Sequence, residues 1–270
     1  MCALTKDILN VPISSLDYDQ TSLQIIDWAK KHESRTVGVC NVHSVTTAGW
    51  NPELKKALLS NDLNTPDGVP LVWTLKTLGA TRASRVYGPT LMLYLLAYAR
   101  YENLRIAFYG GHPDRLEKLV SNLKNQFEGL NVVEAISPPF RKLTEAEEHD
   151  HLQRLREARP HLIFVGLGCP KQEIWMAKHR DQVPAVWIGV GAAFDFHADA
   201  VPQAPSAIQR LGMEWAFRLY QEPRRLAKRY ITTNPVFLLR VASQITTSAL
   251  RKSWGAIAAG LIPDNTATNA

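Results

Sequence analysis

The stretch that decides the fold is HLIFVGLGCPKQEIWMAKHRDQVPAVWIGVG, residues 161–191. Two short apolar runs, at 161–166 and 185–190, enclose a segment with helical spacing at 171–180. Each run is apolar on both faces and leads into Gly-x-Gly, and such runs are typical of strands in a parallel sheet that is covered on both sides. The stretch therefore predicts a strand, a helix and a parallel strand.

The same alternation occupies most of the remaining chain. Further strands are predicted at 36–40, 104–109 and 131–134. Helices are predicted at 21–32, 52–60, 89–101, 113–127 and 144–158, several of which begin at Pro or Thr. This pattern predicts an α/β fold with a doubly wound, mostly parallel, Rossmann-like sheet.

The last part of the chain has a different pattern. From Pro205 onward it is nearly continuous helix, predicted at 206–221, 223–230 and 235–252. We therefore expect an α/β domain at 1–204 and a helical C-terminal appendage at 205–270, with a polar, frayed end.

The charge of the chain is concentrated in this appendage. The 270 residues carry a net charge of +6 at pH 7, and from Arg218 onward there are eight basic residues against two acidic ones. The first 217 residues are thus neutral, and the tail is predicted to meet an anionic partner: phosphates, nucleic acid or a membrane surface. A solvated basic helix is the alternative. The overall composition, with 46% hydrophobic residues, excludes disordered, collagen-like and coiled-coil proteins.

An apolar stripe runs along the last predicted helix. It consists of Leu238, Val241, Ala242, Ile245 and Ala249 at spacings of three and four. The stripe either packs on the α/β domain or, with the neighbouring basic cluster, forms an interfacial membrane helix.

The number of cysteines and the hydropathy of the chain indicate the cellular compartment of the protein. Three scattered cysteines are too few for a disulfide framework or a zinc site, which indicates a reducing compartment. No apolar segment follows a basic start, and no window approaches 18 uninterrupted apolar residues. We expect a cytoplasmic protein whose membrane contact is peripheral.

Ligands of open α/β sheets bind beyond the carboxyl ends of the strands, so the residues after each strand are candidates for a site. In CNVHS at 40–44, Asn41 and His43 can offer hydrogen bonds to a ligand, although Asn41 and Ser44 can also simply cap a helix. In NTPDGVP at 64–70, Asp67 lies in a rigid turn with no Lys or Arg within five residues. Partial desolvation would raise its pKa and suit it to act as a general base, whereas an ordinary Pro-Asp-Gly turn is the alternative.

Glycines follow three of the predicted strands. In YGGHPD at 109–114, Gly110 and Gly111 precede a helix and let the backbone approach a phosphate, with a plain tight turn as the alternative. In GLGCPKQE at 166–173 and GVGAAFDF at 189–196, two Gly-x-Gly pairs are predicted to form a floor for a planar or phosphorylated ligand. The candidate residues there are Gly168, Lys171, Gln172, Gly189 and Gly191.

Several motifs are missing from the sequence. It contains no Asp-x-Asp of the kind that holds a divalent ion on a nucleotide diphosphate, no His-Glu-x-x-His, no paired-cysteine spacing and no Gly-x-Ser-x-Gly, so neither a metal site nor a serine hydrolase is expected. The absence of Gly-x-Gly-x-x-Gly after the first strand disfavours an NAD(P)-dependent oxidoreductase, which is one alternative function. A nucleic-acid-binding protein is the other alternative, but it leaves Asp67 and the glycine floor without a role. No cofactor is expected.

Taken together, the motifs resemble those of the WecG/TagA/CpsF glycosyltransferases, in the same order and spacing from about Val37 to Tyr230. The motifs are Asn41 with His43, TPDG at 65–68, YGP at 87–89, GGHP at 110–113, GLGCPKQE at 166–173, GVG at 189–191 with FDF at 194–196, and GMEW at 212–215 through EPRR at 222–225.

The resemblance implies an inverting, metal-independent transfer of a sugar from a UDP-sugar, bound by the α/β domain, to a sugar on undecaprenyl diphosphate at the cytoplasmic membrane face. It implies that Asp67 is the catalytic base and that Asn41 and Gln172 line its pocket. The basic appendage is implied to contact the anionic membrane surface and the diphosphate, with Arg218, Arg224, Arg225 and Arg229 as candidates. Arginine suits diphosphate because its guanidinium binds two phosphate oxygens at once.

The chain departs from the family pattern at three positions. Val39, Asp199 and Gln203 stand where members of the family have threonine, glycine and arginine. We therefore predict no single donor, and N-acetylmannosamine, N-acetylmannosaminuronate and glucose all remain candidates. The sequence predicts no nucleic-acid partner and leaves a homo-oligomer open.

Overall fold

The computed structural model describes residues 5–205, 207–208 and 212–260, apart from the side chains of Arg225 and of residues 249–260. Within these limits the strands are β1 (Thr5–Ile8), β2 (Val11–Ser14), β3 (Arg35–Cys40), β4 (Leu63–Pro66), β5 (Ile106–Gly110), β6 (Val132–Ile136), β7 (Leu162–Gly166) and β8 (Val186–Gly189). The helices are α1 (Tyr18–Lys30), α2 (Val42–Ala48), α3 (Pro52–Ser60), α4 (Val69–Thr77), α5 (Gly88–Tyr101), α6 (Pro113–Gln126), α7 (Glu145–Ala158), α8 (Lys171–His179), α9 (Ala193–His197), α10 (Glu214–Gln221) and α11 (Pro223–Gly260). A 3-10 turn, Arg180–Gln182, follows α8.

The predicted α/β fold is confirmed. Six of the described strands form one parallel sheet in the order β4-β3-β8-β7-β5-β6, and β1 and β2 form a separate antiparallel hairpin. All five strands and all six helices predicted for the α/β domain are present, with ends that differ by up to three residues. The hairpin, β4, α2, α4 and α9 were not predicted because each is short or carries proline.

Side chains on the two faces of the sheet form separate cores. On one face Phe108, Phe164 and Ile188 are buried against α1, α5 and α6. On the other face Tyr109, Val165 and Trp187 pack with α7 and α8. Because successive residues of a strand point to opposite faces, the continuous apolar runs of the sequence serve both cores at once.

The C-terminal region differs from the prediction at Pro235. The sequence predicts two helices that meet at this proline, but α11 runs through it without a break. Proline removes one helical hydrogen bond, and burial of the flanking side chains Thr233, Phe237 and Val241 offsets that loss. Phe237, Val241 and Ile245 pack against the core that includes α2, so this side of the stripe faces the α/β domain. Leu238 remains exposed.

Parts of the C-terminal predictions fall outside the described residues. These are residues 206 and 209–211 of the helix predicted at 206–221, the side chain of Ala249 in the apolar stripe, and the polar end at 264–270. The division into two domains at residue 204 stays a prediction. No helix in the described part of the chain combines the length and the hydropathy needed to cross a bilayer.

Asn64 ties the edge strand β4 to its neighbours. Its side chain is 3% exposed. The amide donates to the carbonyl oxygens of Pro12 and Leu58 at 3.1 and 2.8 Å, and the amide oxygen accepts from Asn61. This network fixes the strand that leads directly into Asp67.

We predict that Asn64→Ala destabilises the protein by about 2 kcal/mol or more, because it leaves buried carbonyl groups without donors. Urea unfolding measures this loss as a lower midpoint with an unchanged denaturant dependence. The matched control Asn125→Ala, at an exposed position of α6, should change stability by no more than about 0.5 kcal/mol. Equal stabilities of the two variants would contradict the role given to Asn64.

Candidate active site

The sheet brings the predicted site residues to one edge. Cys40 is paired with Pro66, and Gly110 is paired with Gly166. The segments that follow these strands therefore leave the sheet side by side, as the carboxyl ends of parallel strands must. The connections from β7 to β8 and from β5 to β6 leave two neighbouring strands in opposite directions, and a crevice forms at such a position.

Asp67 lies directly after the edge strand β4. Its N–H donates to the carbonyl oxygen of Cys40 at 2.7 Å, which fixes the backbone, and its side chain is 19% exposed. The proline before it, Pro66, is tolerated because an edge strand has one side without ladder bonds. Gly68 then caps α4.

The expectation that Asp67 has no basic partner is wrong. Arg85, 18 residues away, places Nη2 3.3 Å from Asp67 Oδ1 and donates from Nε to the main-chain oxygen of Asp67. The same Nη2 donates to Glu214 at 2.8 Å, and the guanidinium lies 4.3 Å from the ring centroid of Tyr87. The search for basic residues within five positions of Asp67 could not find Arg85, because only the fold brings these two residues together.

Burial dominates the titration of Asp67. Desolvation raises the pKa of its carboxyl from 3.8 to about 6, while the positive charge of Arg85 opposes the rise and the negative charge of Glu214 adds to it. A carboxylate with a pKa close to neutrality is a competent proton acceptor at physiological pH. Burial is thus the main cause of the raised pKa.

Asn41 caps a helix and also lies at a cavity. It caps α2 through reciprocal bonds with Ser44, as the structural alternative supposed. Its side-chain oxygen also accepts from Arg229 Nη2 at 3.3 Å and lines the cavity beside Asp67. His43 lines the same cavity, where burial and the charge of Arg229 lower its pKa to about 4, so its imidazole is neutral at pH 7.

The four candidate arginines occupy different places. Arg218 on α10 and Arg229 on α11 both line the cavity beside Asp67. Arg224 is exposed and does not line it, and the side chain of Arg225 lies outside the described residues. Arg218 packs 5.4 Å from the ring centroid of Phe196, and its buried Nε has no hydrogen-bond partner among the described residues. An unsatisfied buried donor on a cation favours an anionic ligand.

The cavity beside Asp67 has a volume of about 330 Å³. Polar side chains line it together with Trp73, Trp215 and Leu238. Trp73 and Leu238 are each 64% exposed, so the cavity opens through apolar side chains. We call it the Asp67 cavity.

A smaller cavity of about 110 Å³ continues from it. The two share Asn41, Asp67, Tyr87, Arg218 and Arg229. Gln172, which the sequence predicted at the glycine floor, lines the smaller cavity: its Oε1 accepts from Gly168 N–H at 3.1 Å, and its Nε2 donates to Glu173. Glu173 is 2% exposed, its Oε2 has no partner among the described residues, and burial raises the pKa of its carboxyl.

The candidate glycines separate into two groups. A Cβ at Gly110 would lie 2.6 Å from the backbone of Gly166, so packing requires glycine there, whereas a Cβ at Gly189 would meet flexible side-chain ends, that of Met176 nearest at 2.9 Å. Gly111, Gly168 and Gly191 have positive φ and line the third and largest cavity, of about 880 Å³. At Gly168 no described atom stands within 4 Å of the position that a Cβ would take, so the backbone there is open to a ligand.

The largest cavity, which we call the cleft, lies over the ends of β5, β7 and β8 and shares Gly168, Gly191 and Ala192 with the smaller cavity. Trp175 lines it, stacked on Tyr109 with ring centroids 3.9 Å apart, and so does the exposed Phe140. Lys171, predicted as a ligand contact, also lines it and forms no ion pair with a described residue. The cleft thus combines aromatic rings, open glycine backbone and a cation.

Sequence reasoning missed several residues of this site. Arg85, Tyr87, Glu173 and Glu214 come together around Asp67 and Gln172 only in the fold. The one sequence feature that could have indicated these residues is their place in or near the motifs. Tyr87, Glu173 and Glu214 belong to the motifs YGP, PKQE and GMEW, and Arg85 stands two residues before YGP.

Comparison with known proteins identifies a family and a similar protein. The model of a family described as the glycosyl transferase WecG/TagA/CpsF family matches residues 6–251. A relative from Bacillus spizizenii is 28% identical over 221 residues, which cover 79% of this chain and 84% of the relative. It is named N-acetylglucosaminyldiphosphoundecaprenol N-acetyl-beta-D-mannosaminyltransferase.

The raised pKa of Asp67 has a consequence for stability. Because the folded state binds the proton more tightly than the unfolded state, Asp67 stabilises the fold most below pH 3.8, and this contribution is lost as pH rises through about 6. Asp67→Asn removes the titrating carboxyl, and with it this contribution to the dependence of stability on pH. We predict that the stability of the wild type relative to this variant falls by about 1.4 kcal/mol between pH 5.0 and pH 7.5.

Urea unfolding of both proteins at the two pH values measures this difference. Asp27→Asn, at an exposed position of α1, is the matched control and should show no such change. A difference between Asp67→Asn and the wild type that is the same at both pH values would contradict a raised pKa at this position.

Proposed function

Because the chain belongs to the WecG/TagA/CpsF family of glycosyltransferases, we propose that it transfers a hexose from a UDP-sugar to a sugar carried on undecaprenyl diphosphate. The proposed transfer inverts the anomeric carbon and needs no metal ion. The observation that carries the proposal is the position of Asp67, a partly buried carboxylate between an arginine-lined cavity with an apolar opening and a larger cleft with open glycine backbone.

The cleft is the proposed site of the donor. A nucleoside diphosphate needs a flat contact for its base and positive or N–H groups for its phosphates, and Trp175, Gly168 and Lys171 offer these. The smaller cavity, which joins the cleft to Asp67, is the proposed place of the hexose. N-acetylmannosamine, which the relative's name specifies, N-acetylmannosaminuronate and glucose are the candidate hexoses.

The Asp67 cavity is the proposed site of the acceptor. It is lined by a carboxylate, two arginines and exposed apolar side chains. A lipid-linked sugar presents a hydroxyl group, a diphosphate and an isoprenoid chain. We therefore place the acceptor sugar at Asp67, the diphosphate near Arg218 and Arg229, and the first isoprene units along Trp73 and Leu238.

The charged groups at the site suggest how the transfer reaction proceeds. The Asp67 carboxylate takes the proton of the acceptor hydroxyl while the hydroxyl oxygen forms a bond to the anomeric carbon of the donor. The bond from that carbon to the UDP oxygen breaks in the same step, and UDP leaves with the electron pair. The positive groups of the cleft stabilise the charge that develops on UDP.

The position of the acceptor also suggests how the protein meets its membrane. The exposed Arg224 and Lys228 of α11 lie on the helix that also carries Leu238. Cations beside exposed apolar side chains favour the anionic surface of a bilayer. We propose peripheral association with the cytoplasmic face of the membrane.

We predict that Asp67→Asn lowers the rate of transfer by roughly 10²-fold or more, since the amide cannot accept the hydroxyl proton. The assay offers a panel of UDP-hexoses and undecaprenyl-diphosphate-linked N-acetylglucosamine, and detects both released UDP and glycosylated lipid. The variant should still bind UDP with wild-type affinity in calorimetry, which separates loss of the base from loss of the fold. Turnover within tenfold of the wild type would refute the assignment of Asp67 as the base.

We predict that Arg218→Ala and Arg229→Ala each lower kcat/KM for the lipid acceptor by about 10- to 100-fold, as expected for a lost charge-assisted hydrogen bond. Arg82→Ala, an exposed arginine outside all three cavities, is the matched control. Arg224→Ala is expected to weaken flotation with anionic vesicles by about fivefold. If Arg218→Ala and Arg229→Ala behave like the control, the diphosphate binds elsewhere.

A further inference from the structure

Glu214 is a buried carboxylate to which the proposed transfer assigns no role. It is the first residue of α10 and is 7% exposed. Its Oε2 accepts from Arg85 Nη2 at 2.8 Å, and its carboxylate also faces the hydroxyl of Tyr87. A carboxylate this deeply buried is costly unless it is paired, so its pairing with Arg85 is a specific feature of the site.

Arg85 stands between two carboxylates and binds them unequally. Its Nη2 is 2.8 Å from Glu214 but 3.3 Å from Asp67 Oδ1, and its Nε is directed to the main-chain oxygen of Asp67. The strong arrangement of an arginine with a carboxylate is a pair of parallel N–H bonds of about 2.7–2.9 Å. Arg85 does not form that arrangement with the Asp67 carboxylate.

We propose that Glu214 is a positioning residue for the transfer reaction: by holding Arg85, it prevents the guanidinium from closing on the Asp67 carboxylate and so keeps that carboxylate basic. This inference rests on the proposed role of Asp67 as the base. Arg85 remains close enough to orient Asp67 through its main chain, while the second negative charge balances part of the positive charge beside it. Since Glu214 belongs to α10, the basicity of Asp67 depends on how the C-terminal helices pack against the rest of the protein.

Other groups around Asp67 keep one charge state over the range in which it titrates. Arg85, from the segment before α5, Arg218 of α10 and Arg229 of α11 remain cationic. Burial lowers the pKa of His43 on α2 to about 4, so it is neutral.

Two tyrosines also face this region: Tyr18 on α1 and Tyr87 at the start of α5. Burial raises the pKa of both, and they too stay neutral. Glu173 on α8 lines the smaller cavity together with Asp67, and burial raises the pKa of its carboxyl. Glu214 is the carboxylate whose removal releases the arginine beside Asp67.

The test measures the titration of Asp67 directly and needs no substrate. In the full chain labelled with ¹³C at aspartate carboxyl carbons, the Asp67 signal is assigned by its loss in Asp67→Asn and followed by NMR from pH 4.5 to 8. We expect Glu214→Gln to lower the pKa of Asp67 by roughly half to one unit, because a like charge is removed and Arg85 is released towards Asp67. Glu148→Gln, which removes a carboxylate paired with Lys178 far from this cavity, should leave the titration unchanged.

Glu214→Met, which is neutral and similar in length, is a second variant that serves if Glu214→Gln does not fold. An Asp67 pKa equal to that of the wild type in a folded Glu214 variant would overturn the proposal, and so would an increase. The acid limb of the pH profile of kcat/KM should move down by the same amount as the titration. A titration that shifts as expected in a protein without transferase activity would refute the proposed function alone.

Discussion

A single guanidinium joins the two halves of this site. Arg85 comes from the α/β domain, yet it contacts Asp67 at the end of β4 and Glu214 at the start of α10. Asp67 without this partner would be a desolvated charge at the edge of a sheet, and Glu214 would be a second one. The C-terminal helices are therefore part of the site itself, and the charge state of Asp67 is set jointly by residues from both regions.

The structure also shows where the excess positive charge of the C-terminal region lies. The excess of six positive charges from Arg218 onward is divided between the interior and the surface. Arg218 and Arg229 line the cavity that holds Asp67, whereas Arg224 is exposed. Two anionic partners thus fit one segment: a phosphate-bearing group inside the cavity and an anionic surface outside it. Apolar residues at the opening of the cavity connect the two.

Sequence patterns predicted the sheet well because strands that are buried on both faces leave continuous apolar runs, as at 161–166 and 185–190. They also placed Asp67, Gly168 and Gln172 at the correct edge, since that edge follows from strand direction alone. Sequence patterns did not predict contacts between residues that are far apart in the chain. The partner of Asp67 is 18 residues distant, and Glu214 is 129 residues from Arg85, so no local window could reveal either contact. Pro235 does not break α11 because tertiary packing of its neighbours outweighs the local preference.

The central claim is that Asp67 activates the acceptor hydroxyl for one direct displacement of UDP. The most direct test is the anomeric configuration of the sugar in the product, measured by the one-bond C–H coupling at the anomeric carbon after transfer from an α-linked UDP-hexose. A single displacement assisted by one base predicts a β-linked product. An α-linked product would contradict the account, because retention requires a second displacement or a different arrangement of donor and acceptor around Asp67.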